Sequence, residues 1–256
     1  MEVPSDAKEA GENDVMGEDD RNGGGARMGW KRWGAAAVAA WGIFWAGMAF
    51  GEEGVFPLTS GARWHYEGTA QWTEEGAEGP KVAPLSWDME ALEVFSSSGS
   101  TVAVMRGMVS ETSGYTPGQE PGYAVLVERA SHVELFPQAS ELEARAFAKS
   151  LAEDPSTGTE GDLLVALPLA KDKAWGGDEP RDDTMYQWYV EEERSDVPSI
   201  PGTSPSGKAF VVVYRTNPDT TTMELVPGVG ITRWSYEHHG TASAVDLTLG
   251  SFVGGK

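Results

Sequence analysis

Over most of this chain apolar and polar residues alternate one for one. Successive side chains of a strand point to opposite faces, so this alternation predicts half-buried β-strands. Trp64, Tyr66, Gly68, Ala70 and Trp72 alternate with Arg63, His65, Glu67, Thr69 and Gln71. Leu85, Trp87, Met89 and Ala91 alternate with Ser86, Asp88 and Glu90, and the phase then flips near Leu92 and Val94, as a β-bulge would make it do. Further strands are predicted at 101–110, 123–128, 131–136, 163–169, 185–193 and 208–216, separated by Gly/Pro-rich or polar stretches such as 114–122 and 198–207. Asn217-Pro218-Asp219 is a turn signal.

The stretch from 223 to 249 is the most legible. A short strand ends at Pro227; Gly228 and Gly230 flank Val229 and predict a sharp corner. Beyond it Trp234, Tyr236 and His238 share one face, with Ser235, Glu237 and His239 on the other. Gly240 suits a tight hairpin turn, since glycine takes positive φ without steric cost. Val245, Leu247 and Leu249 then resume the apolar face. Two amphipathic strands joined in this way form an antiparallel pair with one buried face.

One helix interrupts the pattern. Ser140-Glu141-Leu142-Glu143 fits a capping box, which predicts a helix over about 141–152 that stops before Asp154-Pro155. A weak internal repeat is also visible. Phe56-Pro57-Leu58 is followed after five residues by Trp64, and Leu167-Pro168-Leu169 after five residues by Trp175, as if two β subunits shared one corner. Together these features predict a mainly β protein: a curved antiparallel sheet or open β-barrel of nine to eleven strands with one short helix.

The first 51 residues follow other rules. Residues 1–27 are rich in Gly, Asp, Glu and Asn and nearly devoid of large apolar side chains, so disorder is expected. Residues 28–51 have the form of a membrane-targeting segment. Arg27, Lys31 and Arg32 precede an uncharged run from 33 to 50, and Glu52 and Glu53 follow it. Eighteen helical residues span about 27 Å, close to a hydrocarbon core. Two readings stand: a signal peptide cleaved near Gly47, Ala49 or Gly51, or an uncleaved N-terminal transmembrane anchor through residues 33–50. Either way the basic flank stays in the cytoplasm and residues 52–256 form a single exported β domain, periplasmic or extracellular, membrane-tethered if the leader is retained.

Composition narrows the function. The formal net charge of the 256 residues is -21. Residues 1–51 carry eight acidic and five basic side chains, so -18 of it belongs to the remainder. Such a domain repels phosphate backbones, which argues against nucleic acid as a partner. The chain has no cysteine, which excludes disulfides, thiolate catalysis and a lipid-modified cysteine.

Catalytic and cofactor motifs fail on context. Gly202 to Lys208 matches the spacing of a phosphate-binding loop, but Ala209 follows where a hydroxyl is needed, and a strand follows where a helix should begin. Gly228-Val229-Gly230 lacks the third glycine of a dinucleotide fingerprint. His238 and His239 are neighbours on a strand, point to opposite faces and cannot easily share a metal ion; His65 and His132 are the only other histidines. The acidic cluster Asp178, Glu179, Asp182 and Asp183 lacks EF-hand spacing, and a solvated loop is the simpler reading. No G-x-S-x-G and no H-E-x-x-H is present, and no cofactor is implied.

The aromatic residues carry the remaining expectation. Large rings in a sheet most simply fill its core. The functional alternative is that Trp64, Tyr66, Trp72, Trp87, Trp188, Trp234 and Tyr236 line a concave face that binds a hydrophobic ligand.

The Phe56–Tyr66 segment, the Pro168–Trp175 segment and the run from Pro227 through Tyr236 and His239-Gly240-Thr241 to Leu249 together resemble a loose group of uncharacterised bacterial exported β proteins, many of them lipoproteins. This chain departs from them in having no cysteine. A broader likeness, to the curved sheets of periplasmic lipoprotein carriers, is one of fold. The resemblance implies an envelope protein and transfers no activity. Three readings follow: a non-catalytic module binding a hydrophobic ligand or envelope component, a structural or protein-interaction module, and a hydrolase with an unrecognised site.

Overall fold

The structure is a computed structural model that describes residues 54–74, 76, 78–97, 99–155, 161–177, 184–203, 207–239 and 243–256. The disordered segment expected at 1–27, the leader at 28–51, the acidic cluster at 178–183 and the hairpin glycine at 240 lie outside the described residues. Among the described residues no helix is long and apolar enough to cross a membrane.

The alternating segments form one antiparallel sheet made of two meanders. The first runs β1 (Arg63–Trp72), β2 (Lys81–Ser97), β3 (Ser100–Arg106), β4 (Tyr123–Arg129), β5 (His132–Gln138) and β6 (Asp162–Ala166). The second runs β7 (Ala174–Trp175), β8 (Trp188–Arg194), β9 (Ala209–Arg215), β10 (Asp219–Val226), β11 (Gly230–His238) and β12 (Ser243–Val253). They are joined where β1 pairs with β12, Trp64 opposite Phe252 and Ala70 opposite Val245. Each strand therefore pairs with its sequence neighbours and the first pairs with the last, so the sheet is closed all round except between β6 and β7. Among the described residues it has twelve strands rather than nine to eleven. The extra one is β7, two residues long, too short for any periodicity to register. The strand expected at 101–110 stops at Arg106; Gly107 takes φ +69 and a 3-10 helix follows at Val109–Gly114. The bulge expected near Leu92 is present as a register shift between Ala91 and Glu93, and a second shift between Glu224 and Leu225 follows from the glycine corner. Both bend the sheet.

One face of the sheet is the interior. Trp64, Tyr66, Met89, Met105, Leu126, Met223, Leu225 and Leu247 belong to one fully buried cluster that draws on both meanders. On the opposite face of β3 and β4, Val102, Val104, Val125 and Val127 are covered by helix α1 (Glu141–Glu153), which presents Ala144, Ala148 and Leu151 at helical spacing. Those two strands are buried on both faces, which is why their sequences are nearly continuous apolar runs. Ser140 caps the helix, its Oγ accepting from the Glu143 N–H at 3.3 Å.

In a meander successive connections fall at alternate ends. The β2–β3, β4–β5, β6–β7, β8–β9 and β10–β11 connections share one end with the approach to β1 and the exit from β12; this is the near end. At the far end the β3–β4 connection folds inward, burying Met108, Val109 and Thr112, and its 3-10 helix packs against β11 and β12. The interior is thus filled by side chains and capped at the far end.

Closure requires close approach of β1 and β12 at Gly68, which sits opposite Leu247 and Leu85; a Cβ there would overlap the Asp246 carbonyl oxygen, which is backbone and cannot swing aside. Gly68→Ala is expected to cost about 1–3 kcal/mol or more of stability by urea denaturation. Gly250→Ala, whose Cβ would meet nothing closer than 3.5 Å, serves as the near-neutral control.

Candidate functional site

The near end is built around the segment that precedes β1. The Val55 and Phe56 N–H groups both donate to the Glu128 carboxylate, the second at 3.4 Å, and the Gly54 carbonyl accepts from the Gly228 N–H at 2.8 Å. Two glycines make room for it. A Cβ on Gly54 would lie 2.6 Å from Glu128 Oε1, and one on Gly230, at φ +97, would lie 2.7 Å from the Phe56 ring. The same glycine corner receives β1. The Trp64 indole N–H donates to the Val229 carbonyl at 2.7 Å, and the Tyr66 hydroxyl to the Ile231 carbonyl at 2.8 Å. Val55 and Phe56 are consequently buried in the main core.

Beside this segment opens a cleft of about 970 Å³. Its apolar lining comes from Val55, Phe56 and Leu58, from Leu167, Pro168 and Leu169 of the β6–β7 connection, and from Phe210 and Pro227. Ser96, Ser97, Ser100 and Thr101 of the β2–β3 turn add hydroxyls. The two charged lining residues are both engaged: Glu128 by the Val55 and Phe56 amides, and Arg129 by the carboxylate of Glu134. Burial pushes the Glu128 carboxyl above its ordinary range, while the two amides pull it partly back. The volume is at the upper end of what small-molecule pockets occupy, and the wall mixes apolar side chains with hydroxyls and the two charged groups.

The seven aromatic candidates lie elsewhere. Trp64, Tyr66, Trp87 and Trp234 are buried in the packed interior, and the Trp87 indole N–H donates to the Gly107 carbonyl at 2.9 Å. Trp72, Trp188 and Tyr236 are half-buried toward the far end. Trp72 meets Tyr115 edge-on at 6.4 Å; Trp188 lies between Trp175 at 6.5 Å and Tyr214 at 5.1 Å; the Tyr236 hydroxyl donates to Asp219 at 2.9 Å. None of the seven lines the cleft. The cleft is made from connections and strand ends, and Leu167 to Leu169, expected within a strand at 163–169, lie beyond β6, which stops at Ala166. The internal repeat did mark it: Phe56 and Leu58 from one copy and Leu167, Pro168 and Leu169 from the other all line it, and each copy leads into the first strand of its meander.

Histidine–carboxylate pairs occur, but outside this cleft. His238 Nδ1 meets Asp219 Oδ1 at 2.5 Å, holding that carboxyl below its ordinary range, and His65 meets Asp88 at 2.7 Å. His239 turns to Thr220 instead, so the two adjacent histidines do diverge. Ser131, His132 and Glu134 are in sequence at 2.7 and 3.3 Å, but Arg129 takes the same glutamate and neither Ser131 nor His132 lines the cleft. Among the described residues no three metal-binding side chains converge. Lys208, the last residue of the phosphate-loop lookalike, pairs with Glu193 beside strand β9.

The raised Glu128 carboxyl has a testable sign. The folded state holds its proton more tightly than the unfolded chain does. This group's contribution therefore favours folding more as pH falls through its raised value toward about 4.3, and less as pH rises above it. Against a Glu128→Gln variant, the stability of the unaltered protein is expected to rise as pH is lowered from about 7.5 to about 5. Glu128→Ala strands a buried N–H of Val55 and is expected to cost about 1–3 kcal/mol. Urea titrations followed by tryptophan fluorescence measure both.

No protein-family model matches the chain, and no curated protein matches it. Two solved structures each match 78% of this chain and 99% of their own length at 10% identity. One is a candidate exported protein with a YmcC-like fold from Bacteroides fragilis, at a TM-score of 0.37, and the other a candidate lipoprotein from Parabacteroides distasonis, at 0.35. A likeness this remote carries no functional reading.

Proposed function

We propose that this chain is an exported, non-catalytic envelope protein that binds an apolar ligand in the near-end cleft. The observation that carries the reading is the cleft itself: about 970 Å³, mainly apolar in its walls, at the end of a sheet whose interior is otherwise filled by its own side chains. Export is supported by the basic flank and the uncharged run from 33 to 50. The binding surface is the cleft, and the aromatic residues of the strands act chiefly as the framework that holds it.

Ala130 is exposed on the β4–β5 turn and lines the cleft, so a large side chain there fills the space without disturbing the core. A fluorescent fatty-acid analogue is expected to bind the protein, and Ala130→Trp to weaken it by about tenfold or more, equivalent to at least ~1.4 kcal/mol, with unchanged thermal stability. Trp188→Ala is expected to leave the affinity unchanged. The opposite result, affinity lost in Trp188→Ala and kept in Ala130→Trp, assigns the ligand to the aromatic strands instead. No binding at all removes the reading.

A further inference from the structure

We infer that the far end holds a second binding site, a slot between Tyr214 and Tyr236 that takes one ring of a neutral oligosaccharide. It is separate from the near-end cleft and does not rest on the reading given to that cleft. Strand register builds the slot. Tyr214 of β9, Thr221 of β10 and Tyr236 of β11 lie directly opposite one another. One step deeper on the same face are Val212, Met223 and Trp234, all buried in the main core, so the first three also point inward. Yet all three are only half-buried, and neither tyrosine packs against that core as Trp188 does from the same end. Neighbouring strands are about 4.8 Å apart, so the two tyrosines spring from points about 9.6 Å apart with only a threonine between them. A ring seated between two others needs about 3.5–4 Å on each side, about 7–8 Å in all. The space is therefore that of one inserted pyranose. Both walls are held in place: Trp188 lies against Tyr214 at 5.1 Å, and the Tyr236 hydroxyl donates to Asp219 at 2.9 Å.

The polar groups point to the same ligand. Trp234, two residues before Tyr236 on the same face, is buried, and its indole N–H has no acceptor in the protein. A buried donor left unmade is costly, and a ligand oxygen relieves it. At the mouth His238 meets Asp219 through Nδ1, which leaves Nε2 for a hydroxyl. Thr221 adds a hydroxyl at the floor. Ring faces above and below with hydrogen-bonding groups at the edge match a sugar, which has C–H faces and a hydroxyl rim. Asp219 at the mouth and the net -18 of residues 52–256 disfavour an acidic sugar.

The test titrates the full chain with neutral oligosaccharides of glucose, galactose, mannose and N-acetylglucosamine, and with anionic oligomers of galacturonic acid, by saturation-transfer NMR and tryptophan fluorescence. At least one neutral series is expected to bind, and the galacturonic acid oligomers are not. Amide hydrogen exchange on the unaltered protein is expected to slow at 219–223 and 234–238 when the sugar is bound. Thr221→Trp fills the slot from its floor, and Tyr236→Leu removes a wall; each is expected to weaken binding by about tenfold or more. Tyr214→Phe keeps the ring and is expected to retain binding, as is Ala130→Trp at the near end. No binding by any neutral series, protection confined to other segments, or unchanged affinity in either folded slot variant overturns the inference. A preference for the galacturonic acid oligomers, or for a planar base such as adenosine, overturns it too.

Discussion

The pairing of the first strand with the last is the constraint on which the molecule depends. Every other pairing links neighbours in sequence, and each could form as a local hairpin. Only β1 against β12 joins the two meanders into one sheet, and it does so through the two strands that carry Trp64, Tyr66, Leu247 and Leu249. The cost is the chain entropy of joining distant segments, which must be met by burial and backbone hydrogen bonds. The rings supply much of it. Trp64 lies against Phe252 of the partner strand at 5.1 Å, and its indole and the Tyr66 hydroxyl tie β1 to the carbonyls of Val229 and Ile231. Those two bonds also satisfy polar atoms of two fully buried side chains.

Closure in turn creates the near end as a place. Because β1 must arrive beside β12, the residues before it are drawn across the β10–β11 corner and onto β4. There Glu128 sits on the inward side of its strand among apolar neighbours, an arrangement that would be costly for a free carboxylate. Two backbone amides of the arriving segment compensate it, so the same buried group that strains the core fixes Val55 and Phe56 in position. The cleft is what remains between that fixed segment and the connections around it.

How much of this the sequence disclosed follows from what alternation can and cannot encode. It located nearly all the strands, the bulge at Leu92, the helix cap at Ser140 and the glycine corner at 228–230, because each is a local rule with a residue signature. It could not locate β7, whose two residues hold no period, and it extended β3 past Arg106 because Met108 and Val109 are apolar for another reason, being folded inward in a loop. The aromatic residues it singled out fell into two environments, four buried in the packed interior and three half-buried toward the far end, and nothing in the spacing of rings along a strand distinguishes one from the other. The pairing of Glu128 with amides more than seventy positions away has no local trace at all.

The repeat is the exception, and it explains why the cleft lies where it does. Each apolar-Pro-Leu segment leads into the first strand of a meander, and proline in such a segment withholds one backbone donor. A segment of that kind cannot extend the sheet at its own position, yet it must cross the near end to reach the next strand. Two of them crossing the same end leave apolar side chains facing a space that neither strand pairing nor core packing fills. One copy is pinned by Glu128 and the glycine corner, while the other spans the β6–β7 seam, where the sheet has no pairing of its own. The cleft is therefore a product of the twofold layout of the chain: a closed sheet of two meanders must be crossed twice at one end, and the residues that make the crossing are apolar.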